Sequence, residues 1–294
     1  MALVPLSKLL ADAAAGGYAV GYFEAWDMYS LEAVVRAAEA ERSPVVLGFG
    51  GAMMNPPWLD RFGIEPLGAY GRAVAERVTV PAALILNEVF DWTQAERGAR
   101  AGFNVVMVDT SRFPFEHNVE ITRQVVDLAH PLGVEVQAEL GRLPTFGEDD
   151  PGEPTDPDQA REFVAATGVD CLAVSVGNVH LRTEGAAEVD WDRLRALRAA
   201  VDVPLVIHGG SGLNAETVTR LVAEGITLFH VGTVMKRWFW EATQKAVAEY
   251  NAPFSYQAAV GSRRMEDFLL PGRIVMEHVV GDLMQLYGSS GKVV

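Results

Sequence analysis

The feature that most restricts this chain is an alternation repeated eight times. Short apolar, β-rich runs stand at Tyr18–Glu24, Pro44–Phe49, Ala82–Asn87, Asn104–Asp109, Val134–Leu140, Asp170–Val176, Val203–His208 and Thr227–Val231. Between them lie segments with charges at helical spacing: Leu31–Arg42, Leu67–Val78, Thr93–Ala101, Glu116–His130, Asp158–Thr167, Trp191–Ala200 and Asn214–Glu224. Uninterrupted runs such as Val105-Val106-Met107-Val108 suit strands covered on both faces, as in a parallel sheet. Thr155-Asp156-Pro157 sets capping oxygens beside a proline suited to a first helical turn. Gly102, Gly133, Gly168 and Gly225 each fall between a helical segment and the next run, where a left-handed stop is needed. The alternation predicts an α/β fold, a closed (β/α)8 TIM barrel, because eight units are a high count for an open doubly wound sheet. After the eighth run a helix is expected over Val234–Tyr250, then others near Tyr256–Met265 and Gly272–Tyr287. Residues 251–294 would thus be a C-terminal helical extension of one barrel domain spanning 1–294. The polar stretch Leu143–Pro157, too polar to pack, is expected to be a mobile loop on the active face.

Length and charge narrow the function. A chain of 294 residues suits one barrel, and 49% hydrophobic residues supply its core. No run approaches the roughly 18 apolar residues a membrane span requires. The first residues lack a basic, signal-type start, which predicts a cytoplasmic protein. A net charge of −15 argues against nucleic acid and anionic lipid as partners, yet leaves a small phosphorylated ligand possible, since clustered backbone N–H groups hold phosphate on acidic proteins. Cys171 is the only cysteine; it excludes an internal disulfide and a cysteine-based metal cluster, and its apolar setting predicts packing.

In such a barrel, polar side chains at strand C-termini converge on one mouth. The runs end in Glu24, Asn87-Glu88, Asp109, Glu139, His180 just beyond the sixth, His208 and His230. His180 and His208, with Glu88 or Glu139, would make a two-histidine, one-carboxylate site for zinc or another first-row divalent ion acting as a Lewis acid. His117, His130 and His278 lie on helical segments and are expected at the surface. His208-Gly209-Gly210-Ser211-Gly212 and Val231-Gly232-Thr233 follow the last two runs, where barrels often bind phosphate: the glycines admit backbone N–H groups, and Ser211 and Thr233 add hydroxyls. Glu148 and Asp149, on the polar loop, could deliver a base when the loop closes. The apolar early rim loops, with Trp26, Met53, Trp58, Phe90 and Trp92, would line a pocket or a subunit contact; Trp238 and Trp240 are expected as core or interface anchors.

These residues resemble the class II, metal-dependent ketose-bisphosphate aldolases, the fructose- and tagatose-bisphosphate aldolase family, nearly end to end. The likeness runs through Leu3-Val4-Pro5-Leu6, Gly17-Tyr18-Ala19-Val20-Gly21, Ser43-Pro44-Val45-Val46-Leu47, Ala138-Glu139-Leu140-Gly141 and Thr155-Asp156-Pro157. It continues through the two glycine loops to the tail Tyr287-Gly288-Ser289-Ser290-Gly291-Lys292. The resemblance implies a divalent metal, usually zinc with manganese or cobalt as alternatives, that polarises a ketone so that a carbon–carbon bond is made or broken through an enediolate. It further implies that His180 and His208 bind the metal and that Glu139 is a carboxylate near it. Gly209, Ser211, Gly232 and Thr233 would cradle phosphate, Glu148 or Asp149 would be the acidic loop residue, and the assembly would be a homodimer or a higher homo-oligomer.

Departures from the family pattern gather at the chemistry. Where the family carries an Asp-His pair after the third strand, a proton donor and a metal ligand, this chain has Asn87-Glu88. Asparagine cannot act as an acid, and glutamate is a harder, anionic ligand. Glu24 and His230 each replace a family asparagine, Gly48-Phe49-Gly50 replaces a polar strand end, and Leu181 replaces a glycine. The leading expectation is a divergent lyase acting on a phosphorylated keto-sugar other than fructose 1,6-bisphosphate, with Glu24, Asp109 or His230 the candidates to replace the missing acid. The alternatives are an isomerase or epimerase using the same enediolate, and an inactive phospho-sugar-binding homologue.

Overall fold

The computed structural model describes residues 2–145, 147, 149, 151–180, 187–250 and 255–293. Eight parallel strands close in sequence order: β1 (Val20–Phe23), β2 (Val45–Gly50), β3 (Ala82–Val89), β4 (Val105–Val108), β5 (Glu135–Leu140), β6 (Cys171–Val174), β7 (Leu205–Ile207) and β8 (Leu228–Val231), which pairs back onto β1. The period-two alternation sorts their side chains. Val20, Val46, Ala83, Ile85, Val105, Met107, Cys171, Ala173, Val206 and Leu228 pack inside the barrel. Leu47, Phe49, Leu84, Leu86, Val106, Leu172 and Ile207 face outward, under the helices. Cys171 is fully buried, and burial pushes its thiol pKa well up, so packing is its role.

The helices are α1 (Leu6–Gly16), α2 (Met28–Glu41), α3 (Pro56–Trp58), α4 (Ile64–Ala75), α5 (Trp92–Ala101), α6 (Phe115–Ala129), α7 (Pro157–Thr167), α8 (Trp191–Ala200), α9 (Ala215–Ala223), α10 (Thr233–Ala248), α11 (Tyr256–Ala259) and α12 (Leu270–Leu286). Asp156 caps α7 by accepting from the N–H groups of Asp158 and Gln159 ahead of Pro157, as the sequence predicts. Gly133 and Gly168 take φ of 72° and 71° at the helix-to-strand turns. The barrel with extra C-terminal helices is the expected architecture. Among the described residues, no helix is long and apolar enough to cross a membrane.

Three features differ from the sequence reading. First, α1 precedes the eightfold pattern and was outside it. Its Leu6, Leu9, Leu10 and Ala13 enter the barrel's N-terminal end, and Glu135 at the start of β5 accepts from the N–H groups of Leu6 and Ser7. Second, the helix expected over Tyr256–Met265 is only the single turn α11. Asp267 follows it, fully buried, accepting from Tyr29 Oη at 2.7 Å and from the Arg263 N–H at 2.7 Å. Third, the polar loop after β5 is pinned at both ends. Arg142 and Glu153 exchange backbone hydrogen bonds of 2.7 and 2.6 Å, and Thr155 Oγ1 donates to Leu140 O while accepting from the Ser175 N–H.

Candidate active site

At the C-terminal end of the strands the inward positions change from apolar to polar. One pocket of about 590 Å3 is lined there by Tyr22, Glu24, Asn87, Glu88, Asp109, His180, His208, Gly209, Ser211, His230, Gly232 and Thr233, with Lys236, Arg112, Met53 and Trp240 at its sides. The structure thus gathers the predicted rim residues from all sides of the barrel. Strict alternation would send Asn87 and Glu88 to opposite faces. Strand β3 avoids this with a bulge: Leu86 pairs with Val106 but Val89 with Val108, and Glu88 takes φ of 51°. A non-glycine residue in the left-handed region is strained by about 1 kcal/mol or more, a cost that marks a functional position. Here it turns both side chains into the mouth.

The ligating atoms of Glu88, Glu139, His180 and His208 all lie within 4.8 Å of one another. His208 Nδ1 is 3.0 Å from Glu139 Oε2 and 3.1 Å from Glu88 Oε1, and His180 Nε2 is 3.8 Å from Glu88 Oε1. Yet His208 Nδ1 and Glu139 Oε2, both buried, make no hydrogen bond among the described residues; their approach is off the line a ring N–H requires. Burial alone would lower the His208 pKa, but Glu139 and Glu88 outweigh it and hold it up at about 10. Glu88, which burial alone would raise, is held down at about 2 by His208, with His180 and Lys236 helping. Two carboxylates around one unsatisfied imidazole nitrogen, with a second imidazole alongside, fit a divalent cation in the place of that proton.

The backbone around these ligands is fixed locally. Asn178, fully buried, donates to His208 O at 2.9 Å and accepts from the Val176 N–H, tying the end of β6 to the end of β7. The His180 N–H donates to Pro144 O of the loop after β5, at 2.9 Å. Gly209 has φ of 67°, and a Cβ there would lie 2.4 Å from Val179 O, so no other residue lets the two ligand loops approach this closely. The Gln137 side-chain amide, one inward position below Glu139, sits 2.9 Å from His208 Nε2 and fixes the ring from behind.

The glycine loops face the pocket as expected. Helix α10 starts at Thr233 without a side-chain cap, and its Val234 N–H reaches Ser211 Oγ at 3.2 Å. Uncapped N–H groups at a helix start are an anion site. Glu24 enters the same corner: its Oε1 is 2.6 Å from Lys236 Nζ, and its Oε2 lies where a Cβ on Gly232 would be 2.3 Å away. Burial raises the Glu24 pKa, partly offset by Lys236. His230 is buried, stacked on His208 (4.2 Å) and in tilted contact with Tyr22 (4.5 Å), and burial, with His208 and His180 nearby, pushes its pKa well down.

Asp109 lines the pocket but is tied to Ser111, whose Oγ and N–H both donate to it. Of the polar loop, Thr145 reaches the pocket wall; Asp149 is exposed and away from that wall, and Glu148 lies outside the described residues. Trp238 and Trp240, expected as core or interface anchors, are not in the core. They are 39% and 63% exposed, because α10 turns them outward, and Trp240 borders the pocket. His117, His130 and His278 are at the surface, as expected.

A family profile described as fructose-bisphosphate aldolase class-II matches residues 4–292. The chain belongs to the class II fructose-bisphosphate aldolase family. It is 33% identical to the fructose-bisphosphate aldolase of Geobacillus stearothermophilus over 99% of each chain. It superposes on the crystal structure of the YdjI aldolase from Escherichia coli K12 with a TM-score of 0.83 and 28% identity, covering 99% of this chain and 100% of that one. The fructose-bisphosphate aldolase of Campylobacter jejuni matches with a TM-score of 0.80 and 20% identity, covering 99% and 97% of the two chains; that likeness bears on the fold alone. Within this aldolase family frame, sequence reading overlooked Gln137, Asn178, Tyr22, Arg112 and Lys236. For Gln137 a signal existed, since it precedes Glu139 by one period of the strand. Lys236 sits in the first turn after Gly232, where helical spacing could have placed it at the cradle.

Proposed function

We propose that the chain is a metal-dependent carbon–carbon lyase that cleaves, or in reverse assembles, a phosphorylated ketose other than fructose 1,6-bisphosphate. The convergence of His208 Nδ1, Glu139 Oε2 and Glu88 Oε1 without a satisfying hydrogen bond carries this reading. His180, His208, Glu88 and Glu139 would hold a divalent cation, zinc for preference. When bound, it supplies a Lewis acid that polarises the substrate ketone. Gly209, Ser211, Gly232 and Thr233 orient the phosphate through N–H and hydroxyl donors, with Lys236 adjacent.

In the cleavage direction a base takes the proton of the hydroxyl β to the ketone. The bond between the α and β carbons then breaks, the β carbon leaves as an aldehyde, and the electron pair stays on the α carbon until a proton arrives. Asn87 cannot be that base. Glu24, a buried carboxylate on Lys236 in the same pocket, takes the proton and returns it in synthesis. The acidic loop residue, Glu148 or Asp149, supplies the proton to the α carbon. Changes at Glu24, Asn87-Glu88 and His230 all face the reacting part of the pocket, which supports altered substrate choice. The test is metal content and turnover of the full chain against a panel of phosphorylated ketoses, beside a His180→Ala, His208→Ala double variant. About one equivalent of metal and cleavage of a ketose phosphate, both lost in the variant, are expected. Rapid cleavage of fructose 1,6-bisphosphate would overturn the altered specificity, and a metal-free parent after reconstitution would overturn the mechanism.

A further inference from the structure

The floor of the pocket carries polar atoms that this mechanism leaves without work. Tyr22 Oη, Asn87 Oδ1 and both ring nitrogens of His230 find no hydrogen-bond partner among the described residues. The three residues are only 2%, 3% and 5% exposed, yet all line the pocket. Tyr22 and His230 are register partners across the β1–β8 pairing, with ring centroids 4.5 Å apart and planes tilted by 54°; His230 also stacks on His208 at 4.2 Å and 20°. The stack on His208 and the tilted contact with Tyr22 hold the imidazole in place, and both its ring nitrogens stay without a partner among the described residues. Each buried polar group without a partner costs about 1–3 kcal/mol, so several gathered in one floor are retained for a ligand that satisfies them.

Their chemistry identifies the kind of ligand. A neutral imidazole offers one donor and one acceptor, a phenol donates and accepts, and an amide oxygen accepts. Mixed donors and acceptors in one pocket complement a run of carbon-borne hydroxyls, each of which also donates and accepts. Phosphate, which only accepts, and an apolar chain, which does neither, both leave such a floor unsatisfied. We propose that Tyr22, Asn87 and His230 form a hydroxyl-recognition subsite that binds the uncharged polyhydroxylated carbon chain of the substrate and selects for it. This rests on the reading of the pocket as a ketose-phosphate site, and adds which side chains choose the sugar portion.

The test uses ligands that have no ketone and cannot be cleaved. Xylitol 5-phosphate and n-pentyl phosphate share chain length and phosphate but differ in hydroxyls; free xylitol and inorganic phosphate probe each part alone. Binding to the full chain with one equivalent of zinc is measured by calorimetry for the parent, Tyr22→Phe and His230→Phe. Xylitol 5-phosphate is expected to bind about 100-fold more tightly than n-pentyl phosphate, and each variant to lose about 10-fold for the polyol alone, one hydrogen bond's worth. Tyr22→Phe should also leave the melting temperature unchanged or raised, because the hydroxyl it deletes stabilises nothing in the folded chain; a purely structural tyrosine would show the opposite. Equal affinity for the two phosphates overturns the subsite and leaves the phosphate cradle standing. Xylitol binding that is lost in His230→Phe, with no binding of inorganic or n-pentyl phosphate, sustains the subsite and overturns the phosphate reading. No discrimination for any hydroxylated ligand overturns the proposal.

Discussion

The two ends of the barrel treat polar groups in opposite ways. At the N-terminal end α1 fills the opening with leucines, and nearby polar side chains are committed to the backbone. Glu135 caps α1, Asn104 bridges Val4 O and the Leu84 N–H at 2.7 Å each, and Asp170 joins His130 to the Val136 N–H. At the C-terminal end six of the ten buried side-chain atoms without a partner among the described residues belong to Tyr22, Asn87, Glu139, His208 and His230, while Thr227 supplies one at the other end. The strained Glu88 is there as well. One end is built for stability, and the other holds unsatisfied groups and strain in place with the stability the first provides.

The contrast can be broken by exchanging its terms. His208→Ala at the mouth should abolish stoichiometric zinc and cut turnover by about 10³-fold or more, since several kcal/mol of transition-state stabilisation go with the ion. Any loss of stability should come from Glu88 and Glu139, left without the imidazolium between them, and should shrink on acidification as the carboxylates protonate. A loss that persists at low pH would show that the mouth also holds the fold together. Leu10→Ala, in the plug and 1% exposed, should do the reverse. It leaves a cavity worth about 2–5 kcal/mol in urea unfolding, with zinc stoichiometry unchanged. Gln137→Leu lies on the boundary between the two. It removes the group behind His208 Nε2 while keeping the volume, and should weaken zinc by about 10–100-fold in chelator competition. An unchanged zinc affinity would mean that the ring is held by its stacking on His230 alone.

How much of this was legible in the sequence follows from the same contrast. The strands were readable because burial on both faces leaves an unbroken apolar signature, and the histidines and Glu139 because strand ends must meet at one mouth. The orientation of Glu88 was not, since a bulge is a property of pairing with β4 and defeats the period-two rule. Nor was the Tyr22–His230 contact, which arises only when β8 closes on β1, residues 208 positions apart in sequence. The role of Asn178 was not legible either, because its amide joins the ends of β6 and β7 only once the strands are side by side. For the acidic loop the sequence left two residues open, and the structure keeps them so: Thr145 lines the pocket and Pro144 O accepts from the His180 N–H, while Asp149 is exposed and Glu148 lies outside the described residues.

The smallest expected effect concerns the one place where the rim behaves like the opposite end. Asp267 ties the C-terminal extension to Tyr29 in the first turn of α2, with Arg263 stacked 3.7 Å over that ring. Burial alone would raise the Asp267 pKa, but the Tyr29 hydroxyl and the N–H groups of Arg263 and Leu269 outweigh it, so the pKa is lowered in the folded chain. A lowered folded pKa contributes stability that is complete above the unfolded aspartate value, near 3.9, and is lost as pH falls through the folded value. Asp267→Asn removes that contribution. In urea melts the variant should be less stable than the parent by about 1 kcal/mol at pH 6, the net size of one ordinary hydrogen bond, and the gap should shrink below about pH 4. A gap that persists unchanged at pH 3 would mean that shape, not charge, is what Asp267 provides. Unaltered zinc stoichiometry in the same variant would confine the tie to the frame around the pocket and keep it apart from the chemistry inside.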